Sequence, residues 1–193
     1  MKSTKDHLLE ISNIAREMSE CNELAVNIEK IVTAGLVAIS KNKKIILAGN
    51  GGSAADSQHM AAEYVSRFAF NRPALAAIAL TVDTSIITSI GNDYGFEEIF
   101  CRQIEAIGQE GDILFAYSTS GKSKNILKAI EASKNKKIIS VLFTGINDEN
   151  FSVIPDIIVR TPSKNTAKIQ EGHLMLGHII CGQIEQRLFA DES

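Results

Sequence analysis

Residues 113–123 read ILFAYSTSGKS, which is the clearest strand–loop–helix signal in the sequence. Residues 113–117 form a continuous apolar run, which is typical of a strand buried on both faces of a parallel sheet. Residues 118–123 carry four hydroxyl side chains around Gly121. Polar residues and glycines of this kind follow the strands of open α/β sheets, where ligands bind. The stretch therefore predicts a strand, a ligand-binding loop and the start of a helix.

The same alternation of short apolar runs and helical segments continues on both sides of this stretch. The predicted strands are 45–47, 76–80, 113–117, 138–143 and 157–159, and the predicted helices are 53–68, 85–90, 97–107, 123–134 and 166–188. Such alternation is typical of βαβ units. We therefore predict an α/β fold in which helices cover both faces of a parallel sheet.

A helical segment precedes this alternation. Residues 4–40 carry apolar side chains at helical spacing, with a break near Cys21 and Asn22, which predicts two long helices. An amphipathic pair outside an α/β core often packs against another subunit, so we expect a homo-oligomer. We predict one domain over residues 1–193, with the helical pair in 1–42 and the α/β core in 43–193.

Composition and charge exclude several classes of protein. The chain has 193 residues, of which 45% are hydrophobic and 22% charged, and its net charge of −3 comes with dispersed cations, unlike a nucleic-acid surface. No apolar run approaches the length of a membrane span, and the first residues lack the apolar segment of a signal peptide. Three distant cysteines form no disulfide or zinc-finger pattern. We expect a cytoplasmic protein that binds neither nucleic acid nor membrane.

The loop 118–123 is suited to a phosphate monoester. Backbone N–H groups at a helix start attract an anion, and the four hydroxyl groups can donate to its oxygens. The ending Gly-Lys-Ser resembles a nucleotide-binding P-loop, but that motif requires glycine at position 116, where the chain has Ala116. Simple capping of the helix by serine remains the alternative.

A second glycine-rich loop, GNGGS at 49–53, follows the first predicted strand. Its glycines allow a sharp turn and a close approach to a ligand, and we expect Ser53 to cap the next helix. It is not a dinucleotide fingerprint, because the third glycine is missing at the required offset. A tight turn without a ligand is the alternative for this loop.

A further polar pair, Asn92–Asp93, follows a predicted helix, and by default we interpret it as a turn or a cap.

Two predicted helices carry the candidate acid–base residues. His59 and Glu63 are four residues apart, which puts them on one helical face where they can share a metal ion or a proton; an ordinary surface pair is the alternative. Gln170 and His178 are two turns apart on the last helix, so both can line one cleft. His173 lies between them, and the alternative for the two histidines is one buried and one exposed side chain.

The chain resembles the phosphoheptose isomerases, a family with the sugar isomerase (SIS) fold, in GNGGSAADSQH at 49–59, ND at 92–93, STSG at 118–121 and TAKIQEGH at 166–173, with His178. The resemblance covers nearly the whole chain, including the helical pair. It implies a flavodoxin-like three-layer sandwich and a cytoplasmic homotetramer. It also implies conversion of sedoheptulose 7-phosphate to D-glycero-D-manno-heptose 7-phosphate, the first step of heptose supply for lipopolysaccharide or another bacterial surface polysaccharide.

The resemblance further implies roles for individual residues. It implies one Zn²⁺ per subunit, bound by His59, Glu63, Gln170 and His178. It implies substrate contacts from Asn50, Gly51, Gly52, Ser53, Glu63, Asn92, Asp93, Ser118, Thr119, Ser120, Ser123 and Gln170. Lys122 departs from the family, which commonly has asparagine there, and a cation beside a phosphate is compatible with binding.

Ketose–aldose isomerisation moves a proton between C1 and C2 through an enediol, and it needs a base and an acid or electrophile. Glu63 is the expected base and His178 the expected acid, with His173 as the next candidate for the acid. Zinc would either polarise the substrate oxygens or hold the cleft in shape.

Two other functions remain as alternatives. One is a non-catalytic SIS module that binds a replication initiator or senses sugar phosphates, and the other is a different SIS enzyme, an amino-sugar phosphate isomerase or a muramic acid phosphate etherase. The chain retains all four candidate zinc ligands and has no DNA-binding segment, which favours catalysis over regulation. Its helical pair and single-domain length favour the heptose enzyme.

Overall fold

The computed structural model describes residues 2–146 and 151–190, and their core is a sheet of five parallel strands. The strands are β1 (Ile45–Gly49), β2 (Ala77–Ala79), β3 (Ile113–Tyr117), β4 (Ile139–Thr144) and β5 (Ile157–Arg160), in the order β2-β1-β3-β4-β5. Every residue of β1 and β3 is buried, as expected of strands covered on both faces. The predicted α/β fold with a parallel sheet is confirmed.

Helices account for most of the rest of the described chain. They are α1 (Thr4–Glu20), α2 (Asn22–Ser40), α3 (Gly52–Val65), α4 (Thr84–Asp93), α5 (Cys101–Ile107), α6 (Lys124–Asn135) and α7 (Thr166–Phe189). The prediction of a helix over 97–107 is wrong in its first half. A short 3₁₀ helix (Phe96–Glu98) lies there, and the buried residues Ile99 and Phe100 follow it before α5 begins.

The sheet separates two apolar layers. Alternate side chains of β1 point to opposite faces, so Ile45 and Leu47 join one core cluster and Ile46 and Ala48 join the other. The first cluster contains residues of α1, α2, α3 and α7, and the second contains residues of α4, α5 and α6. The protein is therefore a three-layer sandwich, and α3 and α7 lie on the same face of the sheet.

The predicted pair of N-terminal helices is present, and Cys21 separates α1 from α2. The inner face of α2 belongs to the core of this chain, because Ile31 and Val32 are fully buried. Burial of each such side chain contributes roughly 1.5–3 kcal/mol to folding. The outer faces keep Leu8 and Val26 exposed. Over the described residues, no helix has the length and apolar character needed to cross a membrane.

Candidate active site

The two predicted ligand loops meet at one edge of the sheet. Strands β1 and β3 are neighbours, and Gly49 is paired with Tyr117 at their carboxyl ends. The next residues, Asn50 and Ser118, therefore begin two adjacent loops, since paired strands are about 4.8 Å apart. This is the edge at which parallel sheets bind ligands.

The first loop turns through glycine rather than through a serine cap. Gly51 has a φ of +57° and is the N-cap of α3, whereas Ser53 lies inside the first turn of the helix. The expectation that Ser53 caps this helix is therefore wrong, because the left-handed glycine closes the turn two residues earlier. A Cβ on Gly52 would lie 2.6 Å from Gln170 Nε2, so glycine is needed for this close approach.

The second loop forms a compact turn held by its own hydroxyl groups. Ser118 is buried and its hydroxyl donates to Ser123 Oγ at 3.0 Å, while Ser120 Oγ accepts from the Lys122 N–H at 3.1 Å. Gly121 has a φ of +66°, which allows the reversal. Ser123 is the N-cap of α6, but its side chain makes no capping bond. The first turn of α6 thus retains backbone N–H groups that suit an anion.

An open cleft of about 540 Å³ lies beside these loops. Asn50 and Ser123 line it on one side, and Tyr94 lines it on another. The predicted site residues Asn92 and Asp93 are the last two residues of α4, immediately before Tyr94, and Asn92 Nδ2 donates to Asp93 Oδ1 at 2.8 Å. They are part of the helix rather than a turn after it.

The candidate metal ligands on α3 and α7 lie together. His59 Nε2 is 3.1 Å from Glu63 Oε1, and His178 Nε2 is 3.4 Å from His59 Nε2. One ligand atom from each of these three residues lies within 4.8 Å of the others. Two imidazole nitrogens and a carboxylate oxygen are a typical ligand set for Zn²⁺, whose bonds to such atoms measure about 2.0–2.2 Å. The three side chains therefore fit a zinc ion.

Gln170, the fourth predicted ligand, is placed by its contacts with the first glycine loop. Its Nε2 is 3.5 Å from Ser53 Oγ, and its amide occupies the space that a side chain at Gly52 would need. These contacts join α7 to the start of α3, the helix that carries His59 and Glu63.

Comparison with known proteins finds relatives that match nearly the whole chain. The SIS domain family matches residues 10–145. Phosphoheptose isomerases of Burkholderia pseudomallei (strain K96243) and Aneurinibacillus thermoaerophilus are 49% and 47% identical to the chain, covering 96% and 97% of it and 94% and 95% of their own lengths. The solved structure of the Neisseria gonorrhoeae phosphoheptose isomerase superposes with a TM-score of 0.85 at 36% identity, covering 93% of this chain and 95% of that one.

The chain belongs to the phosphoheptose isomerase family.

In this family member, Asn125 is a site residue that the sequence reasoning missed. Its amide is almost fully buried and exchanges two hydrogen bonds with Asn50, of 2.9 and 2.8 Å. The pair ties the first glycine loop to α6, the helix that follows the hydroxyl loop. Because the two asparagines are far apart in the chain, no local spacing could have linked them.

Asp56 was also missed, although its position three residues before His59 was a signal. It lies on the same face of α3, and its Oδ2 is buried without a hydrogen-bond partner among the described residues. Burial raises the pKa of the Asp56 carboxyl, and the nearby His59 partly opposes that shift. The phosphoheptose isomerase site thus contains a second carboxylate whose surroundings differ from those of Glu63.

Proposed function

We propose that the protein converts sedoheptulose 7-phosphate to D-glycero-D-manno-heptose 7-phosphate, as a ketose–aldose isomerase in heptose precursor synthesis. The observation that carries the proposal is the meeting of His59, Glu63 and His178 on one face of a sheet whose carboxyl edge carries a hydroxyl-rich loop. The near full-length similarity to phosphoheptose isomerases supports the same reaction.

The hydroxyl loop 118–123 binds the phosphate of the substrate. The N–H groups of the first turn of α6 and the hydroxyls of Ser118, Ser120 and Ser123 suit the phosphate oxygens, and Lys122 adds a positive charge. Thr119 lies in the same loop, where its carbonyl accepts from the Gly145 N–H. A phosphate held here leaves the C1 and C2 end of the sugar free to reach α3 and α7.

Glu63 and His178 divide the proton transfer between them. Glu63 takes the proton from the substrate carbon, and His178 donates to or polarises the carbonyl oxygen, which gives the enediol. His59, bonded to Glu63 Oε1 and 3.4 Å from His178, fixes the position of both groups. Gln170, Gly52, Asn92 and Asp93 would orient the sugar hydroxyls from the loop side of the cleft.

One zinc ion per subunit would be held by His59, Glu63 and His178, with Gln170 proposed as the fourth ligand. When bound, it would supply a positive charge that polarises substrate oxygens or holds the three side chains in place. We also propose that the enzyme works in the cytoplasm as a homotetramer.

The test is an isomerisation assay with purified protein and sedoheptulose 7-phosphate, in which the aldose product is measured. The protein is assayed as prepared, after chelation, and after addition of Zn²⁺ to the chelated sample. We expect turnover that chelation removes and zinc restores. If the zinc-loaded protein binds the sugar phosphate without converting it, the proposed reaction is wrong and a sensor role is favoured.

A further inference from the structure

A buried ion pair joins the helix that carries Glu63 to the helix that carries His178. Arg72 lies in the segment between α3 and β2, and its Nε donates to Glu185 Oε1 at 2.7 Å. The two side chains are 0% and 1% exposed. Glu185 is two turns beyond His178 on α7. The pair is therefore a direct link between the ends of the two helices that form the site.

The guanidinium of Arg72 binds the end of α3. Its Nη2 donates to the backbone carbonyl of Glu63 at 2.9 Å, and its Nη1 donates to the carbonyls of Tyr64 and Pro73 at 2.8 and 3.0 Å. The last carbonyls of a helix have no partner within the helix, and a cation there also interacts favourably with the helix dipole. One of the three carbonyl contacts is thus made to the residue proposed as the base.

Glu185 arranges the segment that follows α3. Its carboxylate accepts from the N–H groups of Phe68, Ala69 and Phe70 at 2.9, 2.6 and 3.1 Å. Burial alone would raise the pKa of Glu185, but these three N–H groups and Arg72 outweigh it and keep the pKa below its usual value. The carboxylate is therefore charged at neutral pH, and the chain turns around it.

Through this segment the ion pair also reaches His178. The ring of Phe68, whose N–H is held by Glu185, lies 5.5 Å from the imidazole of His178 between centroids. A Cβ on Gly182 would be 3.1 Å from the Phe68 ring, so the ring is seated tightly on α7. The pair thus contacts the backbone of Glu63 on one side and supports the imidazole of His178 on the other.

We propose that Arg72 and Glu185 are positioning residues for the isomerisation, which hold Glu63 and His178 at the separation that the proton transfer needs. The inference rests on the proposed function of this site. Buried ion pairs add little net stability, since apolar replacements of similar volume are often as stable. Positioning is a sufficient reason to keep this pair, because a shift of about 1 Å in reacting groups can cost about 100-fold in rate.

The decisive variant is Arg72→Lys. Lysine retains a positive charge for Glu185 but lacks the planar fork that reaches the carbonyls of Glu63 and Tyr64. We expect kcat to fall about 10- to 100-fold, the range typical for groups that orient metal ligands. KM should stay within about threefold of the wild-type value, since, among the described residues, Arg72 makes no contact with the hydroxyl loop 118–123, the proposed phosphate site. A kcat within threefold of wild type would overturn the proposal.

Asp112→Asn is the matched control for loss of stability. Asp112 is fully buried, pairs with Lys44 Nζ at 2.6 Å and accepts from the N–H groups of Lys44 and Gln109. It lies at the amino ends of the strands, at the opposite edge from the site. We expect a lower thermal midpoint with kcat per folded molecule unchanged. An equal loss of kcat in both variants would mean that Arg72 acts only through stability.

A double variant, Arg72→Met with Glu185→Gln, serves if the single variant does not fold. It removes both charges of the buried pair, and the glutamine oxygen still offers an acceptor to the N–H groups of 68–70. We expect a folded protein with the same selective loss of kcat, and wild-type kcat would overturn the proposal.

Zinc affinity, measured by competition with a coloured chelator, is a second test of the positioning proposal on the same proteins. We expect about tenfold weaker binding for Arg72→Lys and no change for Asp112→Asn, because the first variant loosens α3 against α7. Unchanged affinity in both would count against positioning. If the wild type fails to convert sedoheptulose 7-phosphate, the proposed reaction is wrong, and the affinities still decide whether the ion pair positions His59, Glu63 and His178.

Discussion

His173 and His178 lie five residues apart on α7, and their surroundings give them different chemistry. His178 is partly exposed beside His59, so its imidazole is accessible from the surface. His173 is fully buried against Tyr117 and Phe143, and burial lowers its pKa to about 4. The alternative of one buried and one exposed histidine is therefore right for His173, whereas His178 is only partly exposed. The buried position of His173 disfavours it as the acid.

Replacement of Glu63 by glutamine tests the assignment of the base. The substitution retains a hydrogen-bond acceptor for His59 but removes the proton acceptor, so we expect kcat to fall roughly 100- to 10,000-fold. KM should change little, because Glu63 is not part of the loop 118–123, which is the proposed phosphate site. Glu131→Gln, the same substitution at an exposed position of α6, is the control and should have no effect. Near-normal turnover by Glu63→Gln would place the base elsewhere.

Burial of His173 predicts a specific loss of stability in acid. The unfolded chain binds a proton at this histidine below about pH 6.5, whereas the folded chain does not until about pH 4. Stability should therefore fall as the pH drops through this window, by about 2 kcal/mol between pH 7 and pH 5. Urea unfolding at both pH values should show that His173→Leu lacks this component. Equal losses in the wild type and the variant would contradict the assignment.

The loops at the ends of β1 and β3 act as one unit because side chains tie them together. Strand register brings Asn50 and Ser118 to the same edge, and the two bonds between Asn50 and Asn125 then join the glycine loop to α6. The glycine at position 52 permits Gln170 of α7 to pack on the same loop. Three elements from distant parts of the chain thus contact one another at the carboxyl ends of β1 and β3.

Removal of the Asn125 amide should loosen this junction. Asn125→Ala leaves the part-buried amide of Asn50 without its partner, which costs about 1–3 kcal/mol of stability. We expect KM for the sugar phosphate to rise about tenfold with a smaller effect on kcat. The reason is that the hydroxyl loop 118–123, the proposed phosphate site, would no longer be aligned with the glycine loop 49–53. Asn135→Ala, at the exposed end of the same helix, is the control. An unchanged KM would show that the two loops bind substrate independently.

Helices α1, α2 and α7 carry large apolar side chains that are exposed on the surface of the molecule. Leu8, Val26 and Ile179 are 62%, 54% and 42% exposed. A groove of about 510 Å³ runs between these helices and is lined by Met18, Leu24, Ile28, Met175 and Ile179. Apolar groups collected on one side of a protein favour contact with another protein, which is consistent with the proposed homotetramer.

Sedimentation velocity tests this assembly. We expect the wild type to sediment as a tetramer at micromolar concentration, and Val26→Lys to shift it toward smaller species, because a buried lysine in the contact would be costly. Ile154→Lys, at an exposed position on another part of the chain, should leave the assembly unchanged. A wild type that sediments as a monomer would contradict the prediction.

Local patterns were sufficient to predict the succession of strands and helices along the chain, the positions of the two loops and the pairing of His59 with Glu63. Apolar runs record burial on both faces, and a spacing of four residues records one face of a helix, so both can be read within a few positions. The strand 113–117 was predicted at its observed bounds. Ser53 was misjudged, because capping depends on backbone angles that serine at a helix start does not specify.

Contacts between distant parts of the folded chain account for the remaining features. His59 meets His178, Asn50 meets Asn125, and Arg72 meets Glu185, in pairs separated by 119, 75 and 113 positions along the chain. The resemblance to a family implied the first of these pairs, but no periodicity within the sequence connects such distant residues. The end of α3 at Val65, earlier than predicted, has the same origin, since Arg72 binds the last carbonyls of α3 and Glu185 binds the chain beyond it. These contacts exist only because the folded sheet and the helices packed on it bring distant segments of the chain together.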